Sequence, residues 1–191
     1  MTTITRRLRR AALLAGTALM LSGALSIAPA SAVVPTCNGL AVDFTVPGGG
    51  ALFLDPGGNA GSVIRGSSGV DDIDGLGGND TICGLDDGDT INGGSGADTI
   101  VGGDGGDTLH GDSEGDFLKG GQGIDHIYGD TGNDVLHGGS EGDFIYGYGG
   151  ANAVACGTGN DFADGGADPG AEDDVLLMPL GFNDCETDVN F

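Results

Sequence analysis

Residues 93–128 read GGSGADTIVGGDGGDTLHGDSEGDFLKGGQGIDHIY, and this stretch decides the fold. It repeats every nine residues, with glycine at the first position, an acidic residue at the sixth and a large aliphatic residue at the eighth. Counting outward in both directions gives eleven consecutive nonamers from 66 to 164 without an insertion. A disordered Gly- and Asp-rich segment has no reason to keep three columns in phase, so the period indicates a solenoid.

The sixth position is the candidate metal-binding column. Glycines let the backbone turn tightly, which leaves carbonyl groups and one carboxylate facing a shared space. These are hard oxygen ligands of the kind that Ca²⁺ prefers, so calcium is the predicted cofactor. Asn152 occupies the column in the tenth repeat. The predicted ligands are the ten aspartates of this column: Asp71, Asp80, Asp89, Asp98, Asp107, Asp116, Asp125, Asp134, Asp143 and Asp161.

The eighth position predicts the core. Positions seven to nine form a short strand whose middle side chain points inward while its neighbours point to solvent. Because one strand of three residues buries little, two nonamers must form an 18-residue coil, and stacked coils give two parallel sheets around a thin aliphatic core. The predicted class is therefore all-β, a parallel β-roll. Aspartates 18 residues apart then lie about 4.7 Å apart along the stack.

This spacing couples folding to the ion. Each pair of neighbouring carboxylates repels by roughly 1 kcal/mol even in bulk water, whereas the core offers one aliphatic side chain per repeat, worth about 1.5–3 kcal/mol. We therefore expect an expanded calcium-free chain that folds when cations fill the gaps between loops. The loops offer at most about nine gaps. Asn152 lacks the charge and should weaken its gap.

The N-terminus resembles an export signal. Arg6, Arg7, Arg9 and Arg10 precede an apolar run that ends at Ala30-Ser31-Ala32. This pattern predicts a cleaved signal peptide over 1–32 and an extracellular, secreted protein, with the export route left open between the general and the twin-arginine pathway. The alternative is a membrane anchor, for which the run is short. After cleavage we expect no membrane insertion.

Charge excludes one class of partner. Beyond residue 32 the chain has 29 acidic residues but only Arg65 and Lys119 as cations, a net charge of −27. Nucleic-acid binders need a basic patch, so nucleic acid is excluded as a partner. A disordered acidic segment would share this composition, and the period argues against it.

The flanks and the cysteines complete the domain plan. Residues 33–65 are predicted to form an N-terminal cap, and 165–191 a degenerate last repeat with a C-terminal cap. An even count of four cysteines suggests two disulfides. Cys83 and Cys156 lie about four coils, roughly 19 Å, apart and cannot pair. Cys37–Cys83 with Cys156–Cys185 is favoured, and the third arrangement stays open.

The repeat resembles the RTX (repeats-in-toxin, or haemolysin-type) calcium-binding repeat family. The resemblance covers 66–164 and implies a right-handed parallel β-roll, with calcium held between loops by the sixth-position aspartates and backbone carbonyls. The segments Cys37-Asn38-Gly39 and Ile82-Cys83-Gly84 are similar to those of small secreted calcium-binding repeat proteins of actinobacteria. RTX toxins differ in carrying a large effector domain and a C-terminal export signal.

Several motifs are interpreted as structural. Ser113 and Ser140 each lie in a G-x-S-x-G sequence, but in phase with the repeat's turn, so no catalytic residue is predicted and the protein is not expected to be an enzyme. The scattered histidines predict no zinc site. Acidic residues at the fourth position (Asp87, Glu114 and Glu141) are compatible both with metal ligands and with solvated side chains. The alternatives are a calcium-rigidified adhesion or glycan-binding module, suggested by outward aromatic residues at 117–162, and, less favoured, a hydrolase.

Overall fold

A computed structural model describes residues 36–41, 43–46, 48, 51–53, 60–166, 175–176 and 185–187. The predicted signal peptide, 1–32, lies outside these residues, as do parts of both predicted caps. In the described part of the chain, all helices and strands that could be assigned are β-strands. Within that part no helix has the length and apolar character needed to cross a membrane.

Eighteen strands occur among the described residues. In chain order they are β1 (Thr36–Cys37), β2 (Leu40–Ala41), β3 (Phe44–Thr45), β4 (Ala51–Phe53), β5 (Val63–Arg65), β6 (Asp72–Asp74), β7 (Thr81–Asp86), β8 (Thr90–Ser95), β9 (Thr99–Asp104), β10 (Thr108–Ser113), β11 (Phe117–Gln122), β12 (His126–Tyr128), β13 (Val135–Ser140), β14 (Phe144–Tyr146), β15 (Ala153–Thr158), β16 (Asp161–Asp164), β17 (Val175–Leu176) and β18 (Cys185–Thr187).

The strands alternate between two parallel sheets. The first sheet contains the odd-numbered strands from β3 to β17, and the second contains the even-numbered strands from β4 to β18, each in chain order. Within the repeats each strand pairs with the strand 18 residues away, as Leu118 does with Ile100 and Leu136. The 18-residue coil and the alternation of repeats between two sheets are confirmed.

The core consists of one inward side chain per repeat. All eleven eighth-position residues are fully buried: Ile73, Ile82, Ile91, Ile100, Leu109, Leu118, Ile127, Leu136, Ile145, Val154 and Ala163. Ile64 extends the same column by one coil. The core is therefore long but one residue wide on each sheet, so hydrophobic burial per residue is small for a protein of this length.

The structure extends the repeat pattern in two ways. Seven of the strands are six residues long rather than three, because first- and third-position amides in the turns also bond to the neighbouring coil, as Ser95 N does to Leu76 O. The register also begins before residue 66. Val63–Arg65 pairs with Thr81–Cys83 at the 18-residue offset, and Ser62 occupies a sixth position.

Two disulfides fix the ends of the roll. Cys37 joins Cys83 with a Cα–Cα distance of 5.8 Å, and Cys156 joins Cys185 at 6.1 Å. The favoured pairing is confirmed. At the C-terminal end the offset between paired strands grows, from 18 residues to 24 between Asp161 and Cys185, so the regular repeat stops there.

Candidate metal centre

The sixth-position side chains form two buried rows, one in each stack of loops. All eleven are 0–3% exposed. In each row the Oδ1 of one residue accepts a hydrogen bond from the backbone N–H of the sixth-position residue 18 earlier. The bond from Asp98 N to Asp116 Oδ1 is 2.7 Å, and that from Asp107 N to Asp125 Oδ1 is 2.9 Å. The hydrogen bonds between coils thus fix the orientation of the sixth-position carboxylates from Asp80 to Asp161.

The second carboxylate oxygen has no such partner in most loops. Burying a charged oxygen without a hydrogen bond costs more than the roughly 1–3 kcal/mol that a neutral group costs. A roll without metal ions therefore contains the same unfavourable feature, a buried oxygen without a hydrogen bond, in one loop after another. The side chains whose Oδ2 atom is buried without a hydrogen-bonding partner are Asp89, Asp98, Asp107, Asp116, Asp125, Asp134 and Asp143.

Each of these oxygens faces the first glycine of its own repeat. At Gly111, an added Cβ would lie 2.5 Å from Asp116 Oδ2 and 2.8 Å from the carbonyl oxygen of Gly129 in the following coil. Carboxylate and carbonyl oxygens thus converge on one point with no donor between them. Two acceptors that face each other in a buried site need a proton or a cation. This geometry explains why the first position is glycine.

The pKa values of these carboxyl groups also show that the ionised form is unfavourable in the buried site. Burial, with a smaller contribution from neighbouring carboxylates, raises the pKa of Asp116 to about 8 and that of Asp98 to about 7. The backbone N–H bond to each carboxylate opposes the rise without cancelling it. Burial likewise raises the pKa of Asp107 to about 6.

Asn152 is the exception that the chain itself supplies. Its Oδ1 accepts from Asp134 N at 2.9 Å, as the aspartates do. Its Nδ2 stands where the second carboxylate oxygen stands in other loops, and donates to the carbonyl oxygens of Gly150 and Gly165, each at 3.4 Å. Gly165 is the first residue of the following coil. In this gap an amide makes the contact that a cation would make elsewhere.

The oxygen set fits Ca²⁺. Among the residues that the structure describes, no group of three or more His, Cys, Asp or Glu side chains could hold a metal ion. Backbone carbonyls must therefore complete any coordination shell, as hard cations allow and soft metals do not. Asp71 differs from these seven aspartates, because its Oδ2 accepts a hydrogen bond from Ser67 N at 2.6 Å.

The G-x-S-x-G serines and the fourth-position glutamate Glu114 form hydrogen bonds between adjacent coils. Ser113 Oγ donates to Gly94 O at 3.3 Å, and Ser140 Oγ donates to Gly121 O at 3.4 Å, and these serines are the last residues of β10 and β13. Glu114, at φ 71°, accepts from Gly96 N at 2.7 Å through Oε2, so it braces the preceding coil. A nucleophile elbow requires a strand–turn–helix, which neither serine occupies.

Sequence reasoning missed two contributors. Ser62 donates its backbone N–H to Asp80 Oδ1, and counting nine residues back from Asp71 would have found it. The hydrogen bonds of the Asn152 side-chain amide were also missed. The sequence predicts the loss of charge at this position, but not that an N–H donor takes the place of the ion.

Comparison of the chain with known protein families agrees with this geometry. The RTX calcium-binding nonapeptide repeat model matches residues 57–90, 84–118, 110–145, 119–154 and 128–163, together more than half of the chain. The chain belongs to this family. Its matched region begins at 57, which agrees with the early register of β5. No curated protein and no solved structure matches the chain.

Substitution of a first-position glycine should damage both fold and site. In Gly120→Ala the new methyl group would overlap Asp125 Oδ2 and lie 2.8 Å from Gly138 O. We expect a loss of about 1–3 kcal/mol in the calcium-loaded state, because overpacked sites relax poorly. Thermal unfolding in calcium measures it. The control is Gly69→Ala, where the nearest atom is 4.0 Å away. Equal stability of the two variants would contradict the close approach.

Proposed function

We propose that the protein is a secreted calcium-binding protein whose roll holds several Ca²⁺ ions between stacked loops and folds as they bind. The observation that carries the proposal is the row of buried carboxylate oxygens that face carbonyl oxygens with no donor between them. The proposed ligands are Asp71, Asp80, Asp89, Asp98, Asp107, Asp116, Asp125, Asp134, Asp143 and Asp161, together with backbone carbonyls.

The proposed setting is extracellular. Two disulfides suit an oxidising compartment. Extracellular calcium is abundant, and modules that work there bind it at about 10⁻⁴–10⁻³ M. Mg²⁺ demands near-ideal octahedral geometry and gives up its water reluctantly, so we expect the loops to select calcium. Catalysis is not part of the proposal, since the buried carboxylates face the backbone rather than an open cleft.

A reciprocal exchange tests the site assignment. In Asp107→Asn the amide should imitate Asn152 and donate to the nearby carbonyl, so one calcium site should be lost while the roll still folds. In Asn152→Asp a carboxylate should replace the amide donor, so one site should be gained. Calorimetric titration should show stoichiometries that differ from the wild type by about one ion in opposite directions.

Asp104→Asn is the matched control, since Asp104 lies at the third position and accepts from Gln122 Nε2 instead of facing a carbonyl. It should leave the stoichiometry unchanged. Unchanged stoichiometry in both exchanged variants, or the same loss in the control, would remove the sixth position from the site.

A further inference from the structure

The exterior of the second sheet carries a ladder of aromatic rings. His110, Tyr128 and Tyr146 occupy the ninth position in consecutive coils, and Tyr148 follows two residues after Tyr146. The ring centroids of His110 and Tyr128 are 4.5 Å apart with planes 13° apart, and those of Tyr128 and Tyr146 are 5.3 Å apart at 7°. Tyr148 stacks on both tyrosines, 6.0–6.3 Å from each. We call these four residues the aromatic face.

Tyr148 is placed at a conformational cost. Its φ is 60°, in the left-handed region that every second position from 76 to 166 adopts, with glycine at positions such as Gly121 and Gly139 but leucine at Leu76 and Leu85. Its side chain is nevertheless 47% exposed. The positive φ therefore belongs to the repeat, and what sets Tyr148 apart is a large ring that stands half in solvent and stacks on Tyr128 and Tyr146.

Carboxylates border the aromatic face. Asp130 Oδ2 lies 3.0 Å from His110 Nδ1, and Asp112 is exposed one coil away. Asp164 lies beside Tyr146 in the register of β14 and β16. Burial raises the pKa of the Tyr148 hydroxyl, and the charges of Asp130 and Asp164 act in the same direction. None of these aspartates is at a sixth position, so calcium in the loops would leave their charge in place.

The cations lie on the opposite side. Arg65 and Lys119 are the only Lys or Arg residues beyond residue 32, and they belong to β5 and β11 of the first sheet. Among the residues that the structure describes, the exterior of the second sheet is therefore aromatic and acidic and carries no Lys or Arg side chain. Such a surface is complementary to a cation that also has a flat face, which is the guanidinium group.

We propose that the aromatic face binds an arginine-rich segment of another polypeptide. A guanidinium group would stack on the exposed ring of Tyr148, and neighbouring arginine N–H groups would donate to the carboxylates of Asp112 and Asp130. Arginine fits better than lysine because its planar group stacks and donates at the same time. The proposal needs a folded roll but does not depend on which residues hold calcium.

The chain contains its own reporter for the test. It has no tryptophan and three tyrosines, all on the aromatic face. The mature protein in saturating calcium is titrated with an arginine–glycine repeat peptide, with the corresponding lysine peptide and with a neutral oligosaccharide, while tyrosine fluorescence is followed. We expect saturable binding of the arginine peptide, several-fold weaker binding of the lysine peptide, and no response to the sugar.

Matched variants locate the site. Tyr148→Gly removes one ring and relieves the positive φ, so the roll should fold at least as well while the peptide binds roughly tenfold more weakly. Asp112→Asn should also weaken binding and reduce its dependence on salt. Phe117→Thr, on the first sheet beside Thr99, is the control and should bind as the wild type does.

Three results would overturn the proposal. The first is unchanged affinity in Tyr148→Gly, and the second is a response to the oligosaccharide without one to the peptide. The third is competition between peptide and calcium, which would place the peptide on the loops.

Discussion

Removal of calcium is expected to abolish most of the strand content of this protein. Far-UV circular dichroism should show a β-rich spectrum in millimolar calcium and a largely disordered one after chelation, with recovery when calcium is restored. Both disulfides stay intact in this experiment, so the covalent chain is the same in the two states. The change therefore measures the contribution of the ion alone.

The size of the expected effect follows from the loops. Seven buried carboxylate oxygens without a partner, each costing at least about 1–3 kcal/mol, together match or exceed the 5–15 kcal/mol by which domains are typically stable. The core adds one aliphatic side chain per nine residues, too few to offset this cost in addition to chain entropy. A cation in each gap satisfies two or more acceptors at once and removes the repulsion between coils.

Magnesium at the same concentration is the control. Because it prefers near-ideal octahedral geometry and keeps its water, we expect little recovery of the β spectrum. A spectrum that is the same with calcium and after chelation would show that the roll does not need the ion. Recovery by magnesium alone would show that charge neutralisation suffices and that no coordination geometry is selected.

Much of the architecture could be predicted because each residue in the repeat has one task. The strict nine-residue phase determines register, and alternation in the strand determines that Ile100 and Leu118 face inward. The spacing of 73 residues between Cys83 and Cys156 excludes their pairing once the coil length is known. In a regular repeat, residues 18 positions apart in sequence are neighbours in adjacent coils. The pattern of one repeat therefore predicts the contacts along the whole stack.

The rest depended on contacts that no single repeat contains. The role of Asn152 requires the carbonyl of Gly165 in the following coil. Glu114 at the fourth position could be weighed only as a ligand or a solvated side chain, whereas it bonds the backbone of the preceding coil at Gly96. The first-position glycine could be attributed to turning, but its decisive property is the absence of a Cβ between Asp116 and Gly129. The distance between atoms of adjacent coils cannot be deduced from the sequence of one repeat.

Acid should stabilise the calcium-free roll, opposite to its effect on the calcium-loaded one. Burial raises the pKa of Asp116 to about 8, of Asp143 to about 7 and of Asp125 to about 6, from 3.8 in the unfolded chain. A carboxyl group whose pKa is raised by folding contributes stability that is full below pH 3.8 and is lost as the pH rises through 6–8. Protonation also supplies the missing donor between carboxylate and carbonyl.

Calcium reverses the sign because it binds the ionised form. The calcium concentration for half-saturation should therefore rise as the pH falls from 8 to about 5.5, and protons should be released on binding. Circular dichroism of the dialysed, calcium-free protein should show more β structure at pH 5.5 than at pH 8. Asp116→Asn should reduce that gain, since its amide is a donor at every pH, whereas Asp104→Asn should leave it unchanged. If the calcium-free protein has the same β content at both pH values, then protons do not occupy the gaps, and the buried carboxylates must be relieved by opening of the coils instead.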